Sequence, residues 1–145
     1  MRKLAPLGVI AALALVVTAV ALAAPKSMGW SAKLNAMQEV PAQAVHAPKG
    51  KGTFHGTLKG NKLTWTLSFS GLSGAATAAH IHVGAMGKAG NVVVALCGPC
   101  TPMSHGTAKL SKAVMKDASK HLLYVNVHTA KNPAGEIRGQ LTRAL

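Results

Sequence analysis

The strongest constraint on the fold is a strict alternation of apolar and polar residues over 62–69. There Leu63, Trp65, Leu67 and Phe69 are separated by threonine and serine side chains. A period of two residues places the four apolar side chains on one face of a β-strand. Similar but shorter runs, bounded by turn residues, predict strands over 31–38, 52–58, 77–83, 91–96, 105–110, 121–128 and 134–142, with a helical turn over 112–120. Seven or eight short antiparallel strands predict an all-β Greek-key sandwich or barrel.

The N-terminal segment predicts export. A basic start precedes an almost continuous apolar run over 7–23, which ends in the small-x-small triplet of a signal-peptidase site. We therefore predict a signal peptide over 1–23, a leader over 24–30 and one β domain over 31–145, located in the periplasm or secreted. An uncleaved anchor is the alternative, because the run approaches the roughly 18 residues of a spanning helix. After cleavage we expect no membrane span.

The charge balance of the chain is compatible with anionic partners, although a solvated basic surface without a partner is the favoured interpretation. Sixteen lysine and arginine side chains face only three carboxylates, those of Glu39, Asp117 and Glu136. Such an excess favours an anionic envelope component. Nucleic acid is not expected, because the lysines are scattered and only five aromatic residues are available to stack on bases. Three carboxylates are also too few for a calcium site of the EF-hand kind.

Three histidines lie on the polar side of two predicted strands. In the segment 79–83 the apolar residues alternate with His80 and His82, and in 122–128 the same alternation places His128 opposite the core side. The rings of an H-x-H pair, with Cβ atoms roughly 7 Å apart, can converge on one metal ion. Imidazole ligands favour copper or zinc over magnesium or calcium. An H-x-H pair also arises often by chance, and the four other histidines are interpreted as ordinary surface residues.

The order of motifs resembles the CHRD (chordin-type) domain. The resemblance rests on the runs 69–72 and 78–84, on Gln38-Glu39-Val40-Pro41, and on the long terminal run 124–141, and it extends over about residues 31–143. It implies an extracellular domain type of which bacteria have single-domain members. The family is named after repeats in chordin, an inhibitor of growth-factor signalling, and that name implies little about activity.

A more distant resemblance is to the copper–zinc superoxide dismutases. It implies a dismutase-like β-fold, places His80, His82 and His128 at three copper-binding positions, and places Arg138 near an anion-guiding arginine. The segment 84–92 contains no histidine or carboxylate, so the zinc loop of that family has no counterpart. We therefore expect no catalytic residues, and a copper site completed by water, His55 or His105.

The sequence Cys97-Gly98-Pro99-Cys100 matches the thioredoxin tetrapeptide, but the flanking sequence lacks the helical pattern that redox chemistry needs. Two cysteines in an exported chain more often form a structural disulfide. A soft Cu(I) site that adds Met103 and His105 is the alternative.

Three hypotheses for the function follow. The first is an exported protein that binds copper, or else zinc, through the surface histidines His80, His82 and His128, with Arg138 contacting either the metal ligands or an anion. The second is a non-catalytic adhesion module whose basic surface binds an anionic envelope component, with Glu136 pairing with Arg138 or a neighbour. The third is a superoxide dismutase-like enzyme, although an enzyme is the less favoured interpretation.

Overall fold

The computed structural model describes residues 26–42 and 49–144. Nine strands, one short 3-10 turn and one α-helix follow one another in this part of the chain. They are β1 (Ser27–Asn35), the 3-10 turn (Ala36–Gln38), β2 (Lys51–Lys59), β3 (Lys62–Ser70), β4 (Ala76–Val83), β5 (Val92–Cys97), β6 (Met103–Lys109), α1 (Lys112–Ser119), β7 (Leu123–Thr129), β8 (Ile137–Gln140) and β9 (Thr142–Arg143).

The strands form one antiparallel sheet that curls into a nearly closed barrel. Its order is β5-β4-β7-β8-β1-β2-β3-β6, and β9 pairs with β1. Strand β3 pairs with β6 rather than with β4, which is the strand that follows it along the chain. Such a connection is typical of a Greek key. The two ends of the path, β5 and β6, flank the seam of the barrel.

Alternation fills the barrel with apolar side chains. Leu63, Trp65 and Leu67 of β3 are at most 3 % exposed, and the residues between them point outward. Phe54 on β2 and Ile81 on β4 are fully buried in the same core. The sheet closes around this core because each strand has one apolar face that must leave water.

The β2–β3 hairpin shows how local sequence sets register. Lys59 pairs directly with Lys62, so only Gly60 and Asn61 form the turn. Gly60 has a φ of +61°, and glycine at the first central position is typical of a type II′ turn, which joins twisted antiparallel strands.

The predicted all-β Greek-key barrel is confirmed. Each predicted strand has a counterpart within a few residues, and the helical turn expected over 112–120 is α1. Strand β1 begins at Ser27, within the predicted leader. The predicted signal peptide, 1–23, lies outside the described residues. Within 26–42 and 49–144, no helix is both long and apolar enough to cross a membrane.

Candidate metal centre

Strand register brings the three predicted histidines together. Strands β4 and β7 are neighbours, and His128 on β7 pairs with Ala78 on β4, so that His80 lies diagonally across from it. His82 follows two residues later on the same face as His80. Register shifts in the pairing of β4 with β5 lie directly before His80 and directly before His82, and such irregularities locally re-aim side chains.

The three rings converge. Each of His80, His82 and His128 offers a ring nitrogen, and these three atoms all lie within 4.8 Å of one another. His80 Nδ1 is 3.1 Å from His128 Nε2. Two nitrogens bound to one ion at about 2.05 Å lie roughly 2.9–3.4 Å apart, for bond angles between square and tetrahedral. The spacing of this pair therefore already suits two ligands of one metal ion.

A backbone carbonyl fixes the tautomer of His82. Its Nδ1 lies 3.0 Å from Gly90 O, and because a carbonyl only accepts, Nδ1 carries the proton and donates. The neutral ring therefore has its lone pair on Nε2. That atom is buried and has no hydrogen-bond partner among the described residues. A buried unpaired acceptor is costly unless a ligand satisfies it.

His128 is oriented in the same way. Its Nδ1 donates to Pro133 O at 3.0 Å, so the lone pair of its Nε2 faces the Nδ1 of His80. Such hydrogen bonds to the outer nitrogen are typical of metal-binding histidines, because they hold the ring and its tautomer in place.

The ring of His82 lies at one end of a stack that also contains Tyr124 and Arg138. Tyr124 lies parallel to it, with centroids 4.9 Å apart and planes 13° apart. The guanidinium of Arg138 covers the other side of the tyrosine ring, 3.5 Å from its centroid. Arg138 also donates to Ala85 O and Lys88 O, both at 2.9 Å, and thereby holds the β4–β5 loop over the site.

The histidines face away from the core, as predicted, but two of them are not surface residues. His82 and His128 are each only 8 % exposed, because the segments that provide Gly90 O and Pro133 O fold over them. Burial lowers the pKa of all three rings below the ordinary value, and the neighbouring histidines lower the pKa of His80 further. The rings are therefore neutral at pH 7, the state that binds metal.

Glu136 anchors the segment that orients His128. Its fully buried carboxylate accepts hydrogen bonds from the Ser73 backbone amide and hydroxyl, the Thr129 hydroxyl and the side-chain amide of Asn132. Burial alone would raise the pKa of Glu136, but these donors outweigh it and hold the pKa below its usual range. Glu136 therefore pairs with Ser73, Thr129 and Asn132. The adhesion hypothesis named Arg138 first as its partner, and the structure shows neighbouring residues instead.

A second buried carboxyl lies beside this face. Asn126 pairs with His80 in the β4–β7 ladder, and its Nδ2 donates to both oxygens of Glu39, at 2.9 and 3.0 Å. Burial raises the pKa of Glu39 to about 7, although the charge of Arg138 and the Asn126 hydrogen bond lower it. Gly135 is required here, because a Cβ on it would lie within 2.8 Å of both side chains.

The remaining predicted residues lie elsewhere. His55 and His105 each pair with Thr66, from β2 and β6, and neither strand adjoins β4 or β7. They are therefore not placed to complete the site. Cys97 and Cys100 form the predicted disulfide, with sulfur atoms 2.13 Å apart. Since both thiols are consumed, the soft Cu(I) alternative loses its thiolate ligands.

Sequence reasoning missed the residues that support the histidines. Tyr124 and Asn126 share the outward face of β7 with His128, and all three are buried. Polar residues in a strand buried on both faces are a signal that something covers the outer face. The identity of the covering groups, the carbonyls of Gly90 and Pro133, leaves no mark in side-chain patterns.

Comparisons with known proteins identify the domain. The chain matches the CHRD domain family over residues 30–141, which includes the histidines and both buried glutamates. Comparison with curated proteins and with solved structures found no significant match. The matched range covers most of the chain and all strands of the barrel except β9 and the first residues of β1. The chain therefore belongs to the CHRD domain family, which is an extracellular-type domain.

Proposed function

We propose that this CHRD domain is exported and binds one copper ion through His80, His82 and His128, with zinc as the alternative ion. The observation that carries the proposal is the buried Nε2 of His82, which has no hydrogen-bond partner in the described part of the chain and lies in a cluster with two further ring nitrogens. A cation bound between the three rings would accept the lone pair of this nitrogen and so remove the cost of burying it. Three nitrogen ligands suit copper and zinc, and copper generally binds such a set more tightly.

The protons at the site are compatible with this role. Gly90 O and Pro133 O already hold the protons of His82 and His128 on the nitrogens that face away from the site. In this structure the Nδ1–H group of His80 donates a hydrogen bond to His128 Nε2. If His80 coordinates through Nδ1, that proton moves to its Nε2, and the ring remains neutral throughout.

Metal titration tests the proposal. The purified protein, stripped with a chelator, is titrated with Cu²⁺ and then with Zn²⁺, and the stoichiometry is measured by calorimetry and elemental analysis. We expect one equivalent of copper, with a Cu²⁺ electron paramagnetic resonance spectrum that shows nitrogen ligands. The double variant His80→Ala/His82→Ala should lose at least about 100-fold in affinity, because even the loss of an outer hydrogen-bond partner costs 10–100-fold.

The matched control is His55→Ala/His105→Ala, which removes two exposed imidazoles from strands that do not pair with β4 or β7. This variant should bind copper like the wild type. Equal losses in both double variants, or unchanged binding in His80→Ala/His82→Ala, would refute the assignment. Circular dichroism spectra of both variants show whether the barrel remains folded.

A further inference from the structure

The outward side of β1, β2, β3 and β6 is basic, and none of these strands pairs with β4 or β7, which carry the three histidines. We call the outward side chains of these four strands the lysine face. Lysines lie at both ends of it: Lys59, Lys62 and Lys109 at one end, Lys33 and Lys51 at the other. All five are exposed, because strand alternation turns them away from the core.

Three of these lysines are direct neighbours. Lys59 pairs with Lys62, and Lys62 pairs with Lys109, so three like charges cross adjacent strands in one row. Paired residues have Cα atoms only about 5 Å apart, and like charges at such positions repel. A sheet that keeps this row has an unfavourable contact that an anionic ligand would relieve.

The part of the chain that the structure describes provides little negative charge to offset the repulsion among these lysines. None of the residues in the four strands is acidic. Glu39 and Glu136 are buried, at 7 % and 0 % exposure, and their carboxylates accept hydrogen bonds from neighbouring side chains. Among the three carboxylates of the chain, only Asp117 on α1 is even partly exposed. The positive charge of the lysine face therefore attracts anions from outside the molecule.

Between its two basic ends the lysine face carries hydrogen-bonding groups. Exposed threonines and two imidazoles fill it: Thr53, Thr57, Thr64, Thr66, His55 and His105. Along β2, Lys51 and Lys59 are eight residues apart, which is about 27 Å at the rise of a strand. One small anion cannot reach both ends, whereas an extended polymer can.

We infer that the lysine face binds a linear anionic polysaccharide, carrying carboxylate or sulfate groups, along the strands. Sugar hydroxyls suit the threonine rows, and the anionic groups suit the lysines at both ends. A membrane is the poorer fit, because Met103 is the one large apolar side chain exposed on this face and amphipathic membrane surfaces need more. Single-stranded nucleic acid is also the poorer fit, because the large rings of Trp30, Trp65 and Phe54 are buried in the barrel and few aromatic groups remain for bases to stack on.

Charge-matched variants test the inference. The first triple variant removes the lysine row and is Lys59→Gln/Lys62→Gln/Lys109→Gln. The control variant removes three exposed charges elsewhere and is Lys116→Gln/Lys120→Gln/Lys131→Gln. Binding of dextran sulfate and polygalacturonate is measured by calorimetry at 50 and 300 mM salt, with neutral dextran as the blank. The first variant should bind both polymers roughly tenfold more weakly, whereas the control should change less than threefold. Wild-type affinity should fall with salt.

Three results would overturn the inference: equal weakening in both variants, which indicates a net-charge effect; no binding of either polymer; or binding of phosphatidylglycerol vesicles or single-stranded DNA in preference to both. The melting temperature of the first variant should equal or exceed that of the wild type, since the substitutions relieve repulsion. Its copper stoichiometry should be unchanged, so that this inference and the proposed metal site succeed or fail separately.

Discussion

At the scale of single residues, Glu39 gives the barrel an unusual dependence on pH. In the unfolded chain its pKa is the ordinary 4.5, whereas burial raises it to about 7 in the fold. The folded protein therefore holds this proton over a range in which the unfolded chain has released it. Its contribution to stability is present below pH 4.5, and it is lost as the pH rises through 7.

Glu39→Gln removes this titration, and the glutamine amide can also donate to Asn126 Oδ1, which is buried and has no hydrogen-bond partner within the described ranges. We expect the variant to gain up to about 3 kcal/mol in free energy of unfolding relative to the wild type between pH 5 and pH 8. Urea unfolding at each pH measures the difference. The lowered histidine pKa values act on both proteins alike and cancel. A difference that does not vary with pH would contradict the raised pKa of Glu39.

For single residues of the site, the sequence predicts the side of the sheet on which a side chain lies but not its burial. Alternation within β4 and β7 was enough to place His80, His82 and His128 on one side of the sheet, because strand side chains alternate strictly. It could not reveal that His82 and His128 are buried. Their cover depends on Gly90 and Pro133, whose backbone carbonyls are the same in every residue type, and on loop conformations that only the folded chain defines.

At the scale of elements, Glu136 joins two loops that are distant in sequence. It lies 63 residues after Ser73, whose amide and hydroxyl both donate to it. We expect Glu136→Gln to destabilise the protein by about 3 kcal/mol, because the new amide group faces donors and the charge that strengthened the bonds is lost. Copper affinity should fall as well, since the same segment provides Pro133 O to His128.

Asp117→Asn is the matched control for this prediction, because Asp117 is partly exposed on α1 and its change should stay within about 0.5 kcal/mol. Thermal unfolding of both variants at pH 7 measures the two effects. Equal melting temperatures for Glu136→Gln and the wild type would show that the buried carboxylate does not hold the loops together.

Elements differ in how far the sequence predicts them. Strand β3 was predicted almost to the residue, and the turn after β2 is marked by Gly60. Helix α1 was also expected, and Ser111 caps it by accepting from the Val114 amide. The loops over the histidines were not predicted, since their conformation depends on contacts such as Ser73 with Glu136, and such distant pairs leave no periodic pattern.

At the scale of the whole molecule, the disulfide lies where the barrel must close. The chain leaves β5 at Cys97 and crosses the seam to begin β6 at Met103. Within this connection the Cys100 amide donates to Ala76 O of β4, and Pro102 O accepts from the Phe69 amide of β3, both at 3.1 Å. The connection thus links the strands on either side of the seam, and the disulfide restricts the conformations that the connection can adopt.

Cys97→Ser/Cys100→Ser should therefore weaken the closed barrel without abolishing it. The loop that the bridge closes is short, so the entropic stabilisation is only about 2 kcal/mol, which corresponds to a fall of roughly 10 °C in melting temperature. Dithiothreitol should lower the melting temperature of the wild type to that of the variant and leave the variant unchanged. Copper stoichiometry should stay at one, because the proposed ligands lie on β4 and β7, which remain paired away from the seam. A variant as stable as the wild type would show that the two loop hydrogen bonds alone close the barrel.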